Sequence, residues 1–321
     1  MGDSSIMSEY VEEDKKGHLI LKKGSFSPSR LKTLEACKWQ YELKYNRNIY
    51  PDQTIVEPHS QLGSAMHDFA EKYNGSGDPR HIALLEHQSK SKYTLTDSQI
   101  EELKFMIDNL VNNIWPELEG KGEEKFKIQS VKTEANLRGN ITLPGNDGRY
   151  RSVPLNLKID RLIEREDGKV VIVDYKKGQP NVASHMFQLL FYVTTYSQRN
   201  RRNVSDIDIW LVFPNEKKNW VRKVTGEELQ ELVSDFESNM AEKFDTIENE
   251  APFNENDATP SFLCNFCPFK ATNMCPTSLV LHGAENPEGK NMTFHVSKFE
   301  KGKRVKTPVS PEEVLSKSSL W

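Results

Sequence analysis

The feature that most constrains this chain is a short apolar strand that ends in charged residues. Val170 to Val173 are consecutive apolar residues, the pattern of a fully buried strand. Asp174 and Lys176 follow two positions apart, and because strand side chains alternate between faces, both point the same way. Charges at such a place are costly unless other groups pair with them, as a metal ion and a phosphate would. The alternative interpretation is a strand end that reaches solvent with two ordinary surface charges.

The preceding segment predicts a hairpin that adds a second carboxylate. Glu166-Asp167-Gly168 has the pattern of a three-residue loop with glycine at the left-handed position. If Arg165 and Lys169 close this loop, Asp160 lies directly opposite Asp174. Like charges at that separation require a cation between them. Oxygen ligands suit Mg or Mn.

These residues resemble the signature of a known family. Asp160 followed by Asp174-Tyr175-Lys176 resembles the D…(D/E)xK signature of the PD-(D/E)XK nuclease superfamily. The flanking residues resemble its RecB-like branch, with the lambda-type exonucleases, the AddB nuclease domain and the CRISPR-associated RecB-like nucleases. The resemblance implies an α/β (α+β) fold: a restriction-endonuclease-like core with a central mixed β-sheet flanked by helices. It also implies that Asp160, Asp174 and Lys176 are catalytic, and that the two aspartates and the Tyr175 backbone carbonyl bind Mg or Mn.

A histidine on an upstream helix is the next candidate. The helix predicted over about 60–73 carries Gly63, His67 and Glu71 at steps of four, hence on one face. The segment from Gly63 to His67 resembles the family's upstream histidine motif, which implies that His67 completes the metal site. Glu71 is a minor candidate on the same face. The alternative is that His67 is a satisfied structural residue.

Further candidates come from other elements. In the helix predicted over 183–197, Gln188 and Tyr192 resemble the family's QxxxY motif, which implies that they position the substrate strand. The alternative is a core tyrosine and a partly exposed amide. Ser27-Pro28 predicts the start of a helix, with apolar residues at helical spacing from Leu31 to Tyr45. Arg30 lies in this segment, which resembles the opening helix of iron–sulfur members, and is assigned to the substrate. Glu134, on a predicted strand, and Lys158, opposite Lys176 in the predicted register, are assigned supporting roles.

Three of the four cysteines are close together in the sequence, at Cys264, Cys267 and Cys275, and Cys37 is far upstream. Disulfides are rare inside cells, while zinc and iron–sulfur centres both use four thiolates. The arrangement resembles the 4Fe–4S clasp of AddB and the CRISPR-associated nucleases. It implies an iron–sulfur cluster that joins the N-terminal helix to the C-terminal segment. Zinc remains the alternative.

The charge of the chain is uneven. The net charge is −4, which by itself disfavours a nucleic-acid partner. Three basic patches nevertheless contain runs that could follow phosphates. They are Lys15, Lys16, Lys22, Lys23, Arg30, Lys32 and Lys38; Arg199, Arg201 and Arg202; and Lys298, Lys301, Lys303, Arg304 and Lys306.

The sequence predicts a soluble protein without a membrane span, because no apolar run approaches about 20 residues. The acidic, polar start is neither a secretory signal nor a transit peptide. We therefore expect a cytoplasmic protein, encoded by a prokaryote or a virus. The predicted organisation is an N-terminal extension (1–25), a nuclease domain (26–280) and a flexible or peripherally docked tail (281–321). The nuclease domain includes a helical insertion at about 75–120 and an iron–sulfur segment at 260–280.

The expected function is that of a metal-dependent exodeoxyribonuclease. It would hydrolyse phosphodiester bonds from a free or single-stranded DNA end, in recombination, repair or phage DNA metabolism. DNA is the expected partner, with a recombination or replication protein as a possible second. One alternative is a CRISPR adaptation nuclease that acts with an integrase. The other is a catalytically inactive nuclease fold that only binds DNA or a partner.

Overall fold

The computed structural model divides the chain into two compact units. Unit 1 comprises Met1–Ile55, Leu143–Pro154 and Asn239–Trp321, and unit 2 comprises Val56–Thr142 and Leu155–Ser238. The structure describes residues 11–21, 26–51, 58–73, 77–121, 125–145, 147–178, 182–218, 220–261, 264, 267–269, 274–275, 294–300 and 303–310.

The described helices and strands alternate irregularly along the chain. The α-helices are α1 (Pro28–Ala36), α2 (Lys38–Tyr41), α3 (Pro58–Lys72), α4 (Pro79–Lys92), α5 (Asp97–Asn109), α6 (Trp115–Leu118), α7 (Val182–Asn200) and α8 (Gly226–Glu250). The strands are β1 (Val11–Glu13), β2 (Leu19–Leu21), β3 (Ile49–Pro51), β4 (Ile128–Pro144), β5 (Tyr150–Arg165), β6 (Val170–Tyr175), β7 (Ile207–Val212), β8 (Val221–Val224), β9 (Phe294–Glu300) and β10 (Lys303–Val309). π-helical turns follow α2, at Glu42–Asn46, and α5, at Leu110–Ile114.

Unit 2 contains a mixed sheet in which β6 is central. Strand β6 pairs antiparallel with β5 and parallel with β7, and β7 pairs antiparallel with β8. Strand β4 also pairs with β5. The β5–β6 register, Arg161 opposite Val173, is the predicted one, and the loop closes as predicted with the N–H of Arg165 donating to Lys169 O at 2.9 Å. Gly168 is left-handed at φ 88°.

Helices flank this sheet, so the predicted mixed α/β architecture is confirmed. Side chains at Val171, Val173 and Tyr175 on one face of β6 share an apolar core with Met66 and Phe69 of α3. Burial of large apolar side chains contributes about 1.5–3 kcal/mol each. The other face of β6 carries Asp174.

The first predicted helix is interrupted at Cys37. Its start is as expected, with Ser27 Oγ accepting from Arg30 N and proline at the first position. Cys37 then adopts an extended conformation, and its Sγ accepts from Gln40 N at 3.4 Å. The thiol therefore serves as the cap of α2 instead of continuing α1.

Unit 1 contains a three-stranded antiparallel sheet in the order β10-β9-β3. Two of its strands lie in the region for which the sequence predicted a flexible or docked tail, and they were not predicted. Within that region residues 281–293, 301–302 and 311–321 lie outside the described part. Strands β1 and β2 form a small hairpin whose second strand pairs parallel with the start of β5. They fall in the predicted extension 1–25, of which residues 1–10 and 22–25 also lie outside the described part.

Candidate active site and cysteine cluster

Strands β5 and β6 bring two buried carboxylates together in unit 2. Asp174 is only 1% exposed. Asp160 accepts a hydrogen bond at its Oδ2 from Tyr175 N, at 2.8 Å. The Tyr175 ring points into the opposite core, where its hydroxyl accepts from Trp115 Nε1 at 3.0 Å. This anchor fixes the backbone of Tyr175, and with it the position of the Asp160 carboxylate.

Lys176 joins the same site. Its Nζ lies 2.8 Å from Asp174 Oδ2 and 3.1 Å from Oδ1. It also donates to Gln188 Oε1 at 3.2 Å, and Gln188 Nε2 in turn donates to the Tyr192 hydroxyl at 2.5 Å. The interpretation of Asp174 and Lys176 as ordinary surface charges does not fit a carboxylate this buried. The predicted residues of β6 and α7 thus form one hydrogen-bonded chain.

A group able to hold a metal lies beside this chain. One ligand atom each from His67, Glu134 and Asp160 lie within 4.8 Å of one another. His67 Nδ1 is 3.5 Å from Asp160 Oδ1. We predicted only a supporting role for Glu134, whereas the structure includes it directly in the group. We call His67, Glu134, Asp160, Asp174 and Lys176 the active-site group.

Glu134 has an unusual backbone. Its φ of 48° is left-handed, although it lies within strand β4. For a residue with a Cβ this conformation costs about 1–2 kcal/mol, and such strain tends to occur at functional sites. Its carboxylate forms an ion pair with Lys158, the other residue with a predicted supporting role. Simple strand alternation cannot predict this local distortion.

The electrostatics of the group favour a bound cation. Burial raises the pKa of both Asp160 and Asp174, and the charge of Asp160 raises that of Asp174 further, while Lys176 opposes both shifts. Burial lowers the pKa of His67, which favours the neutral imidazole that ligates metals. The same imidazole hydrogen-bonds the backbone of Tyr175.

One buried oxygen remains without a hydrogen bond. Asp174 Oδ2 is enclosed and receives none, but the Lys176 ammonium lies 2.8 Å away and pairs with it electrostatically. Asp160, Glu134 and a neutral His67 offer the oxygen and nitrogen ligands that a divalent cation such as Mg or Mn can take.

Two predicted site residues have no contact with this group among those described above. Glu71 is exposed on α3. Arg30 belongs to unit 1 and is only 5% exposed, with its guanidinium within about 5 Å of the Phe26, Tyr41 and Tyr45 rings. It donates to the Tyr41 hydroxyl at 3.0 Å. Their proposed roles stay predictions.

All four cysteines lie in unit 1, none of them forms a disulfide, and we call them the cysteine cluster. Cys37, Cys267 and Cys275 pack against one apolar core. Burial raises the pKa of Cys267 to about 12, and the charges of the other three thiols add to the shift. Among the described residues, the group whose ligand atoms lie within 4.8 Å of one another is His67, Glu134 and Asp160, and the cysteines do not form such a group.

A hydrogen bond also links the two parts of the chain that carry the cysteines. The Trp39 indole in α2 donates to Met274 O at 2.7 Å. Trp39 is two residues after Cys37, and Met274 directly precedes Cys275. The N-terminal and C-terminal cysteines are therefore held together by protein contacts as well as by any ligand they share.

Comparison with known proteins gives one family. Residues 25–276 match the model of the PD-(D/E)XK nuclease superfamily. A search of the curated proteins gave no match. Among solved structures, the crystal structure of SSO0001 is similar at 15% sequence identity and a TM-score of 0.29, over 66% of this chain and 92% of that chain. The family match includes all of the active-site group and the cysteine cluster and ends before β9.

Proposed function

The chain belongs to the PD-(D/E)XK nuclease superfamily, whose members are metal-dependent nucleases, and from that premise we propose that it is a DNA exonuclease. It would hydrolyse phosphodiester bonds from a free or single-stranded DNA end. The observation that carries the proposal is the convergence of Asp160, Asp174 and Lys176 at the end of one hairpin, with His67 and Glu134 beside them.

The ligands of the metal are assigned within this proposal. His67, Asp160, Asp174 and the Tyr175 carbonyl would hold Mg or Mn, with Glu134 as an additional ligand supported by its place in the group. When bound, the metal supplies an activated water and stabilises charge on the phosphate.

The remaining residues are proposed to position the substrate and to neutralise charge on the phosphate. Lys176 would stabilise the negative charge that develops on the phosphate, a contribution that typically accounts for about 100- to 1,000-fold in rate. Its ammonium is aimed by Asp174 and by Gln188. Tyr192 holds Gln188 in turn. The QxxxY residues are thus proposed to orient the lysine as well as the substrate strand.

For the cysteine cluster we propose a 4Fe–4S centre that joins α2 to the C-terminal segment. The packing of Cys37, Cys267 and Cys275 against one apolar core and the Trp39–Met274 hydrogen bond support it. Anaerobically purified protein should contain roughly four irons per chain and absorb broadly at about 400 nm. Stoichiometric zinc without iron would instead support the zinc alternative.

The biological setting is also part of the proposal. No helix in the described part of the chain is long and apolar enough to cross a membrane. We propose that the protein acts in the cytoplasm on DNA in recombination, repair or phage DNA metabolism, with a recombination or replication protein as partner.

The decisive experiment compares linear single-stranded DNA with the same sequence closed into a circle, in the presence of Mn. An exonuclease degrades the linear strand and leaves the circle intact. Cleavage of the circle would show an endonuclease instead. If protein with a full cysteine cluster cleaves neither substrate, the inactive DNA-binding alternative gains support.

A further inference from the structure

The β9–β10 hairpin lies beyond the family match, and nothing in the proposed chemistry uses it. It extends the short strand β3 into a three-stranded sheet: β9 pairs with β3, and β10 forms the outer edge. We call β9 and β10 together the basic hairpin. Both its faces can be followed from the register, because partners across a ladder share a face.

One face of the sheet is apolar and is covered by unit 1. Phe294 and Val296 of β9, with Ile49 of β3, belong to the same apolar core against which Cys37, Cys267 and Cys275 pack. Phe269 and Phe294 stack with ring centroids 5.8 Å apart. The hairpin therefore packs against the segment that carries Cys267 and Cys275.

The other face combines cationic and aromatic side chains. The Arg304 guanidinium lies 5.4 Å from the centre of the Tyr50 ring, and Tyr50 stacks on His295 at 6.2 Å. Arg304 also hydrogen-bonds Ser297 Oγ across the ladder. These contacts hold an exposed arginine in one place without neutralising it. An arginine held in this way has less rotamer entropy to lose on binding a phosphate.

Strand β10 concentrates positive charge on the exposed edge. Lys303, Arg304 and Lys306 are all exposed, and among the described residues none forms an ion pair with a carboxylate. Glu300 lies opposite Lys303 in the register as the single acidic residue of the described hairpin. This cationic edge occurs in a chain whose net charge is −4.

Charged residues on an edge strand can also serve to prevent pairing with other strands. For that purpose either sign of charge is sufficient. All the charges on β10 are positive, however, and they are accompanied by an arginine held over an aromatic ring. The sign and the arrangement favour an anionic partner over simple protection of the edge.

We propose that the basic hairpin binds the phosphodiester backbone of DNA without reading its sequence. Arg304 and Lys306 share the face that carries Tyr50 and contact neighbouring phosphates, and Tyr50 supports Arg304 from below. Lys303 lies opposite Glu300 on the other face and is not part of this contact. The proposal takes its ligand from the proposed function as a DNA nuclease, but it concerns binding alone. It assigns a DNA-binding surface to a region outside the residues that match the family.

The test is the salt dependence of DNA binding, measured on the full chain without added divalent metal so that no cleavage occurs. Each phosphate neutralised contributes about 0.7 to the slope of log Kd against log salt for a single strand and about 0.9 for a duplex. Replacing Arg304 and Lys306 by alanine should lower the slope by about 1.4 for a single-stranded probe or about 1.8 for a duplex. The probe with the larger loss identifies the strand form that the hairpin binds.

A matched control removes one arginine and one lysine elsewhere. Arg80 and Lys125 are also exposed and belong to none of the three basic patches, so their replacement by alanine should leave the slope within about 0.5 of the unmodified chain. Lys306→Ala alone retains Arg304 on its ring and should lower the slope by about 0.7, should the double variant not fold.

If folded hairpin variants bind DNA with an unchanged salt dependence, the proposal is wrong. That result is expected if the hairpin binds an acidic protein instead of DNA. An equal loss in the control would also overturn the proposal, because the effect would then belong to overall charge. Since binding is read without metal, either result is independent of whether the chain cleaves DNA. Absence of cleavage with a normal slope change would reject the nuclease function and leave the hairpin proposal intact.

Discussion

The active-site group in unit 2 and the cysteine cluster in unit 1 are assembled in different ways. In the first, the pairing of β5 with β6 places Asp160 beside the end of β6, where it accepts from Tyr175 N. In the second, Cys37 and Cys275 come from distant parts of the chain and pack against one apolar core, next to the Trp39–Met274 hydrogen bond. The carboxylates are thus brought together by strand pairing, and the segments that carry the cysteines by packing on an apolar core.

The two sites nevertheless have one requirement in common. Burial raises the pKa of Asp160 and Asp174 in one and of Cys267 in the other. Each site thus holds acids that lose a proton only at a cost, and a bound cation offsets that cost. Oxygen ligands suit a hard cation, and thiolates a soft one, so the two sites should select different metals.

The largest effect expected is that of Asp174→Ala. The proposed function assigns this carboxylate to the metal, so cleavage should fall below detection while DNA binding is kept or strengthened, because a negative charge is lost. Iron content should not change, since the cysteine cluster lies in the other unit. End-labelled DNA degradation and metal analysis measure both. Loss of iron in this variant would mean that the two sites are not independent.

Lys176→Ala should reduce turnover by about 100- to 1,000-fold. Mn affinity should stay nearly unchanged, because an ammonium is not a ligand at neutral pH. Single-turnover cleavage and Mn titration separate the two properties. Lys158→Ala is the matched control on the neighbouring strand and should cost less than about tenfold. Equal losses would show that the position of Lys176 beside Asp174 has no special importance.

Cys267→Ala tests the cysteine cluster. Loss of one ligand should remove most of the bound iron and lower the free energy of unfolding by several kcal/mol, because binding of a structural metal contributes to folding. Chemical denaturation and iron analysis provide the measurements. Mn affinity at the active-site group should change far less than stability. A variant that keeps full iron content would exclude Cys267 as a ligand.

The smallest effect is expected for substitutions of Glu134, which test backbone strain and not packing. Glu134→Gly and Glu134→Ala both remove the carboxylate and should weaken Mn binding equally. Only glycine relieves the left-handed backbone, so the metal-free glycine variant should be more stable than the alanine variant by about 1 kcal/mol. Thermal unfolding of the pair measures the difference. Equal stabilities would mean that Glu134 adopts another conformation in solution.

The β5–β6 hairpin could be predicted from sequence because its determinants are local. An apolar run, a glycine in the loop and side-chain alternation are enough to set the register that places Asp160 against Asp174. The membership of Gln188 in the lysine network was not predicted, because it depends on how α7 packs on the sheet. Glu134 was undervalued because a single left-handed residue leaves no trace in the alternation pattern.

Strands β9 and β10 could not be predicted for a different reason. Their partner, Ile49–Pro51, is far away in sequence, and the local segment is dominated by lysines. The helix break at Cys37 was missed as well, because the apolar spacing continues through it. For β9 and β10 the conformation depends on a contact that is distant in sequence. At Cys37 it depends on a side-chain cap.

The hydrogen bond between Gln40 N–H and the sulfur of Cys37 has a consequence for electron transfer. A second backbone donor, Ser261 N, lies 3.3 Å from Cys264 Sγ. Donors that point at the ligand sulfurs of an iron–sulfur centre stabilise its more negative, reduced state, and such bonds help to set the reduction potential. In the proposed cluster, one bond from each half of the clasp would therefore shift the midpoint potential upward, which a potentiometric titration can read directly.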